Sequence, residues 1–165
     1  MKRLTNLNDL FTHQLKDMWS AQTQFVAALD NVLPKVASTK LENDVKQMRT
    51  ELTKHVDELE RLGKSLDFDP RGNKCEAADG LVRETKEFLD TNADSEVRDA
   101  GLVANLQRML HYNIAGFGTA ASYARELDLD DVFITLNDML ETGRAYDSHM
   151  TQVAKQTINR KAVAG

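Results

Sequence analysis

The chain of 165 residues has few of the residues that interrupt helices or cross-link a fold. It contains one cysteine, two prolines and eight glycines, and aromatic residues make up only 6% of it. Because Cys75 is alone, the chain can form neither an intramolecular disulfide nor a cluster of thiolate ligands around a metal. Long stretches rich in Leu, Ala, Lys and Glu remain uninterrupted, and these residues favour helix.

An excess of basic charge and long apolar runs are also missing. The net charge is -5, which argues against binding to nucleic acid, because neutralising phosphates requires a basic surface. No segment reaches the roughly 18 apolar residues of a membrane span, and the first residues contain no apolar core of signal-peptide length. We therefore expect one cytoplasmic domain over residues 1–165 that binds neither nucleic acid nor membrane.

Two long amphipathic stretches fill the first part of the chain. The first runs from about Leu7 to Val32, and Pro34 stops it. In the second, Thr39 and Glu42 have the spacing of a capping box, which predicts that a helix begins there and ends near residues 63–67. Apolar side chains recur on one face of both stretches, as in helices that pack against a core.

Turn residues between positions 67 and 80 separate these helices from the second part of the chain. A shorter helix is predicted from about Glu76 to Leu89. Asp94 or Ser95 can cap a third long helix that reaches about Glu126. Asp128 is the predicted cap of the fourth long helix, whose inward side chains are Val132, Leu136, Leu140, Met150 and Val153.

Four long helices with one short turn in each half and a long crossover between the halves are typical of one architecture. They predict an all-α fold, a ferritin-like antiparallel four-helix bundle with a short extra helix in the crossover between the hairpins. No stretch alternates with the two-residue period of a strand.

Each inward stripe of apolar residues is interrupted near the middle of its helix. The interrupting residues are Gln22 in the first helix, Glu51 and His55 in the second, Asn113 in the third, and Gly143 and Asp147 in the fourth. Measured from the predicted turns, they lie at about the same height. Di-iron carboxylate proteins place their ligands at this level of a bundle, because several positive charges in a core require anionic oxygen ligands.

Several motifs extend this pattern to a known family. "DLFTHQLKDMWSAQTQ" (9–24), "PRGNKCEAADGL" (70–81), "VRDAGL" (97–102) and "HYNIAGFGT" (111–119) resemble the YciE/YciF family of ferritin-like bacterial proteins, and the similarity covers nearly the whole chain. The resemblance implies a bundle with a di-iron centre, a homodimer formed through the outer faces of two helices, and a link to bacterial stress responses.

The resemblance also implies that ligands are missing from this chain. The family's presumed ligand glutamates correspond to Gln22, Asn113 and Gly143, and a further family acid corresponds to Leu110. An amide supplies an uncharged oxygen and glycine supplies no side chain. Asn113 is then a former metal position, and it is retained as a buried polar partner for Gln22, His55 or Asp147.

The acids that remain are Glu51 and Asp147, with His55 one helical turn after Glu51. These three residues are the predicted residual metal ligands. One hypothesis is a noncatalytic, stress-associated bundle with a degenerate site and no cofactor. The alternative is an oxidase or ferroxidase, di-iron or mononuclear, that binds iron or another divalent metal through the residual ligands.

Three further positions carry open alternatives. Cys75 opens the connecting helix, where a helix dipole lowers the pKa of a thiol, so it is either a redox sensor or a structural residue. Gly116 and Gly118 lie in the middle of the third long helix, where they indicate close helix approach or room for an aromatic ring.

Overall fold

The structure is a computed structural model that describes residues 3–164. A short 3₁₀ turn at Leu33–Lys35 follows the first helix, and a π-helical segment at Ala154–Ile158 joins the last two. Within the described residues there is no strand. The helices are α1 (Leu7–Val32), α2 (Thr39–Ser65), α3 (Glu76–Leu89), α4 (Ser95–Glu126), α5 (Asp130–Val153) and α6 (Asn159–Ala164).

The long helices form two antiparallel hairpins that pack face to face. Helix α1 pairs with α2 and α4 pairs with α5, while α1 contacts α4 and α2 contacts α5 across the bundle. Helix α3, in the crossover, lies against α1 and α4. The predicted ferritin-like four-helix bundle with a short extra helix is confirmed.

The starts of α2 and α5 differ from the prediction. Ser38, not Thr39, caps α2, since its hydroxyl accepts the backbone N–H of Leu41 at 3.5 Å. Asp128 does not cap α5, because its φ of 56° puts it in the left-handed region of the inter-helix turn. A capping residue has extended backbone instead.

The core is divided into two clusters of buried apolar side chains. The Phe25 cluster lies toward the α1–α2 turn, and the Phe117 cluster lies toward the α4–α5 turn. The Phe25 cluster includes Phe25, Leu29, Met48, Leu52, Leu106, Leu110 and Met150. The Phe117 cluster includes Phe11, Leu15, Met18, Leu59, Phe117, Leu136 and Met139.

A buried carboxylate fastens the α1–α2 turn to α4. Asp99 is only 3% exposed, and its two oxygens accept the backbone N–H groups of Ala37 at 3.0 Å and Ser38 at 2.7 Å. The backbone amides just before α2 are thereby satisfied by a residue about sixty positions away. This contact links the two hairpins at one end of the bundle.

Candidate metal centre and the polar layer

A layer of polar or small residues separates the two apolar clusters. We define the polar layer as Gln22, His55, Asn113 and Gly143, one residue from each long helix. Gln22 is 0% exposed, Asn113 2% and His55 7%, and Gly143 is buried as well. Gln22 and Asn113 lie at one level, where they contact each other, and His55 lies about one helical turn of α4 away, against Phe117.

Gln22 and Asn113 bond directly across the bundle. The amide Nε2 of Gln22 donates to Oδ1 of Asn113 at 2.6 Å, so the contact between Asn113 and Gln22, one of three predicted alternatives, is confirmed. The remaining oxygen of Gln22, Oε1, is enclosed and has no hydrogen-bond partner among residues 3–164. An unpaired buried polar atom costs about 1–3 kcal/mol.

His55 is neutral at physiological pH. Burial lowers its pKa to about 4, against a smaller opposing effect of the charge on Glu51. The ring packs edge-on against Phe117, with the ring centroids 5.4 Å apart. Its Nδ1 is enclosed and, within the described part of the chain, has no hydrogen-bond partner.

The other two predicted ligands have partners of their own. Glu51 pairs with Lys54 at 2.6 Å near the surface. Asp147 accepts from Nε2 of Gln107 at 2.9 Å and lies 3.2 Å from Nε2 of His111. Over residues 3–164, no three His, Cys, Asp or Glu side chains are arranged so that they could hold a metal ion.

Gly143 faces a space that another side chain fills. A Cβ atom added there would lie 3.3 Å from Cγ1 of Ile114, a tight contact, so a longer side chain would displace Ile114. The polar layer thus offers two amides, a neutral imidazole and a glycine. This donor set does not fit a pair of iron ions, whose charge requires several anionic oxygens.

Cys75 is a buried structural thiol in this fold. It is 1% exposed, and burial raises the pKa of its thiol. The predicted lowering by the helix dipole is therefore wrong, because desolvation disfavours the thiolate more strongly than the start of α3 favours it. The Sγ atom accepts the N–H of Ala78 at 3.5 Å and so caps α3.

Two partners of Cys75 were not found from the sequence. Its Sγ lies 2.9 Å from the hydroxyl of Tyr112 and 3.3 Å from Oδ2 of Asp17, and the Tyr112 hydroxyl donates to the same carboxylate. Burial and then the bond to Asp17 raise the pKa of Tyr112. The cluster joins α1, α3 and α4, and no sequence spacing relates its members.

A second polar contact joins the hairpins on the opposite side. Asp44 of α2 is 9% exposed, and its Oδ1 lies 2.9 Å from Nε2 of His149 in α5. The position of Asp44, three residues after Leu41 and four before Met48, could have revealed it, because that spacing places it on the inward face.

None of the helices within residues 3–164 is long and apolar enough to cross a membrane.

These features define an all-helical, ferritin-like bundle whose central layer is polar but uncharged. The family model described as "Domain of unknown function (DUF892)" matches residues 6–163, and the chain belongs to this family. The curated protein YciF of Escherichia coli (strain K12) is 30% identical over 160 residues, which are 96% of each chain. The resemblance to the YciE/YciF family is confirmed.

Two solved structures share the fold. The crystal structure of the E. coli stress protein YciF has a TM-score of 0.90 at 29% identity, covering 94% of this chain and 99% of that one. The structure of YcfI from Rhodopseudomonas palustris has a TM-score of 0.88 at 32% identity, covering 93% and 98%. Both matches extend over nearly the full length of each chain.

Proposed function

We propose that this chain is a noncatalytic, stress-associated bundle whose di-iron centre has degenerated. The observation that carries the proposal is the hydrogen bond of 2.6 Å between Gln22 and Asn113. Two uncharged amides pair with each other at positions where the family resemblance implies glutamates. Each amide therefore satisfies part of the other's hydrogen-bonding capacity without a metal ion.

The surroundings of the layer support the same reading. Ile114 fills the space next to Gly143, and the carboxylates of Glu51 and Asp147 have partners outside the layer. Two irons would bring several positive charges into this core. An uncharged donor set cannot offset the loss of their hydration.

Iron loading tests the proposal. Protein purified after growth in iron, and protein incubated anaerobically with ferrous iron and then desalted, are analysed for metal content. We expect well under one tightly held iron per chain. Two tightly held irons per chain, or oxygen-dependent turnover of ferrous iron, would overturn the proposal in favour of a ferroxidase.

Restoring the carboxylates tests the assignment of positions. The variant Gln22→Glu, Asn113→Glu, Gly143→Glu is made together with Ile114→Ala, which frees the space beside residue 143. We expect this variant to gain iron, and the control carrying Ile114→Ala alone to stay metal-free. A folded variant that binds no iron would show that these positions are not the former ligands.

The stress association extends a property named for the E. coli relative to this chain. Immunoblots of the producing cells compare exponential growth with osmotic, oxidative and stationary-phase stress. We expect the protein level to rise under at least one stress. A constant level under all of them would contradict this part of the proposal.

We also propose that the protein is a homodimer, as the family resemblance implies. Light scattering coupled to size-exclusion chromatography measures the mass in solution, for which we expect twice the chain mass of 18.5 kDa. A monomer across the micromolar range would contradict it.

A further inference from the structure

Three polar side chains from different helices meet outside the polar layer. Asp17 lies on α1, Cys75 caps the start of α3, and Tyr112 lies on α4. The Cys75 sulfur lies 2.9 Å from the Tyr112 hydroxyl and 3.3 Å from Oδ2 of Asp17. The hydroxyl of Tyr112 donates to the same Oδ2. We call these three residues the Tyr112 triad, in which every pair of side chains is in direct contact.

The hydrogen atoms of the triad can be assigned from these contacts. A phenol carries a single hydrogen, and that of Tyr112 lies on the bond to Asp17. A hydrogen between Tyr112 and Cys75 can then come only from the thiol. The oxygen of Tyr112 thus has a carboxylate that can accept a proton on one side and an S–H group on the other.

The surroundings hold the triad in this arrangement. The backbone N–H of Cys75 donates to the hydroxyl of Ser20 at 2.9 Å. The ring of Tyr112 packs edge-on against Phe25, with the ring centroids 6.0 Å apart. Cys75 is 1% exposed, whereas Asp17 and Tyr112 are half-buried. The thiol is therefore shielded from solvent, while the carboxylate can exchange a proton with water.

This environment suits one-electron chemistry of the thiol and not nucleophilic chemistry. A thiol attacks as its thiolate, but burial raises the pKa of Cys75 and keeps the S–H bond intact. Transfer of a hydrogen atom requires an intact S–H bond. A phenol that loses an electron also loses its proton, and a carboxylate within hydrogen-bond reach can receive that proton directly.

We propose that the Tyr112 triad takes up one oxidising equivalent from a one-electron oxidant and holds it as a thiyl radical at Cys75. The oxidant removes one electron from Tyr112, and the phenol proton passes to Oδ2 of Asp17. The phenoxyl oxygen then takes the hydrogen atom of Cys75, so the S–H bond breaks and the O–H bond of Tyr112 forms again. The products are the oxidant reduced by one electron, a thiyl radical and a protonated carboxyl group.

This activity goes beyond the proposed function because it uses neither the polar layer nor a metal. Each chain takes up one equivalent, so the reaction is stoichiometric and agrees with a noncatalytic bundle. It concerns protection against one-electron oxidants, a class that includes inorganic radicals and oxidised metal complexes.

The test uses a photogenerated ruthenium(III) tris-bipyridine complex as the oxidant of the purified full chain under anaerobic conditions. The absorbance of the phenoxyl radical is followed with time, and electron paramagnetic resonance of frozen samples with ring-deuterated tyrosine assigns the signal. In Cys75→Ser we expect the phenoxyl radical to survive at least about tenfold longer than in the wild type. The O–H bond of serine is too strong to supply the hydrogen atom, and its hydroxyl can still cap α3.

Further variants identify the other two members of the triad. Adding Tyr112→Phe to Cys75→Ser should abolish the long-lived radical, whereas adding Tyr146→Phe should preserve it. Tyr146 is the matched control because it is also half-buried, and its hydroxyl has no hydrogen bond to a carboxylate within residues 3–164. Asp17→Asn should slow the formation of the phenoxyl radical, since an amide is a poor proton acceptor. Circular dichroism verifies that each variant is folded.

Two outcomes would overturn the proposal as a whole. They are equal lifetimes of the phenoxyl radical in the wild type and Cys75→Ser, and a long-lived radical that survives Tyr112→Phe. An unchanged rate of formation in Asp17→Asn would overturn the proton transfer to Asp17. Iron loading is measured separately, so uptake of two irons would contradict the proposed function and leave the radical experiment to be judged by itself.

Discussion

The buried carboxylate of Asp99 and the polar layer differ in how completely their polar atoms are hydrogen-bonded. Both oxygens of Asp99 accept backbone N–H groups. In the polar layer, one bond joins Gln22 to Asn113, while Oε1 of Gln22 and Nδ1 of His55 have no partner within residues 3–164. The contacts of Asp99 give it a structural role. The contacts within the polar layer do not explain why its polar side chains are buried.

The difference indicates where the fold carries polar groups that it does not need for stability. A fully paired buried group contributes to a unique packing, but a partly paired one costs free energy. Proteins keep such costs mainly at sites of present or former function. This is the physical reason for connecting the layer, and not Asp99, with metal chemistry.

The largest effect is expected from removing the fully paired group. Asp99→Ala leaves the amides of Ala37 and Ser38 without their acceptor and should lower the free energy of unfolding by about 3 kcal/mol. Urea denaturation measures the loss. Asp99→Asn, which keeps one acceptor oxygen, should lose less, and equal losses would contradict the role of the second oxygen.

The next effect depends on pH and concerns His55. Its pKa is about 4 in the fold against 6.5 in the unfolded chain, so between these values the unfolded chain binds more protons. The contribution to stability is complete above pH 6.5 and is lost as the pH falls toward 4, by up to about 3 kcal/mol.

His55→Leu isolates this contribution. Urea denaturation of both proteins at a series of pH values gives the difference in stability, which should shift in favour of the variant as the solution is acidified. A difference that is constant from pH 7 to about pH 4 would contradict the depressed pKa of His55.

A smaller effect is expected from breaking the amide pair. Asn113→Leu leaves the Gln22 amide buried and unpaired and should cost about 2 kcal/mol. Adding Gln22→Met removes the unpaired amide, so the double variant should be more stable than Asn113→Leu alone. Additive losses in the unfolding free energies would show that the two amides are not coupled.

The smallest effects on stability are expected from substituting glycines of α4 that lie beside the polar layer. Gly116→Ala places a Cβ atom 2.1 Å from the Met18 sulfur and should destabilise the protein by about 1–2 kcal/mol. Gly118→Ala meets only Leu140 at 3.8 Å and should stabilise α4 by up to about 1 kcal/mol. Thermal unfolding compares them, and the same sign for both would contradict the packing described.

The sequence predicted the helices better than it predicted their ends. The limits of α1 and α3 were correct, because apolar periodicity and turn residues act locally. The residue that caps α2 is one position before the predicted one. Asp128 was wrongly predicted to cap α5, because its left-handed backbone depends on how α4 and α5 meet. The notch at Gly116 matched the expected close approach of helices, although a sulfur atom and not a ring occupies it.

The candidate site was predicted in part. Counting from the turns put the interruptions of all four helices at about mid-height, and Gln22 and Asn113 do contact each other there, but Glu51 pairs with Lys54 near the surface instead of entering the interior. The pairs between Asp44 and His149 and between Tyr112 and Asp17 were missed, because their partners are far apart in the chain.

By itself the sequence determined that this protein is a bundle of four long helices with polar residues near mid-height, since helix formation and helix faces follow from residues three and four positions apart. Only the tertiary structure decided which amide pairs with Gln22, that burial raises the pKa of Cys75, and that Met18 lies against α4. These properties depend on which surfaces of distant helices exclude water from one another, and no local pattern encodes that exclusion.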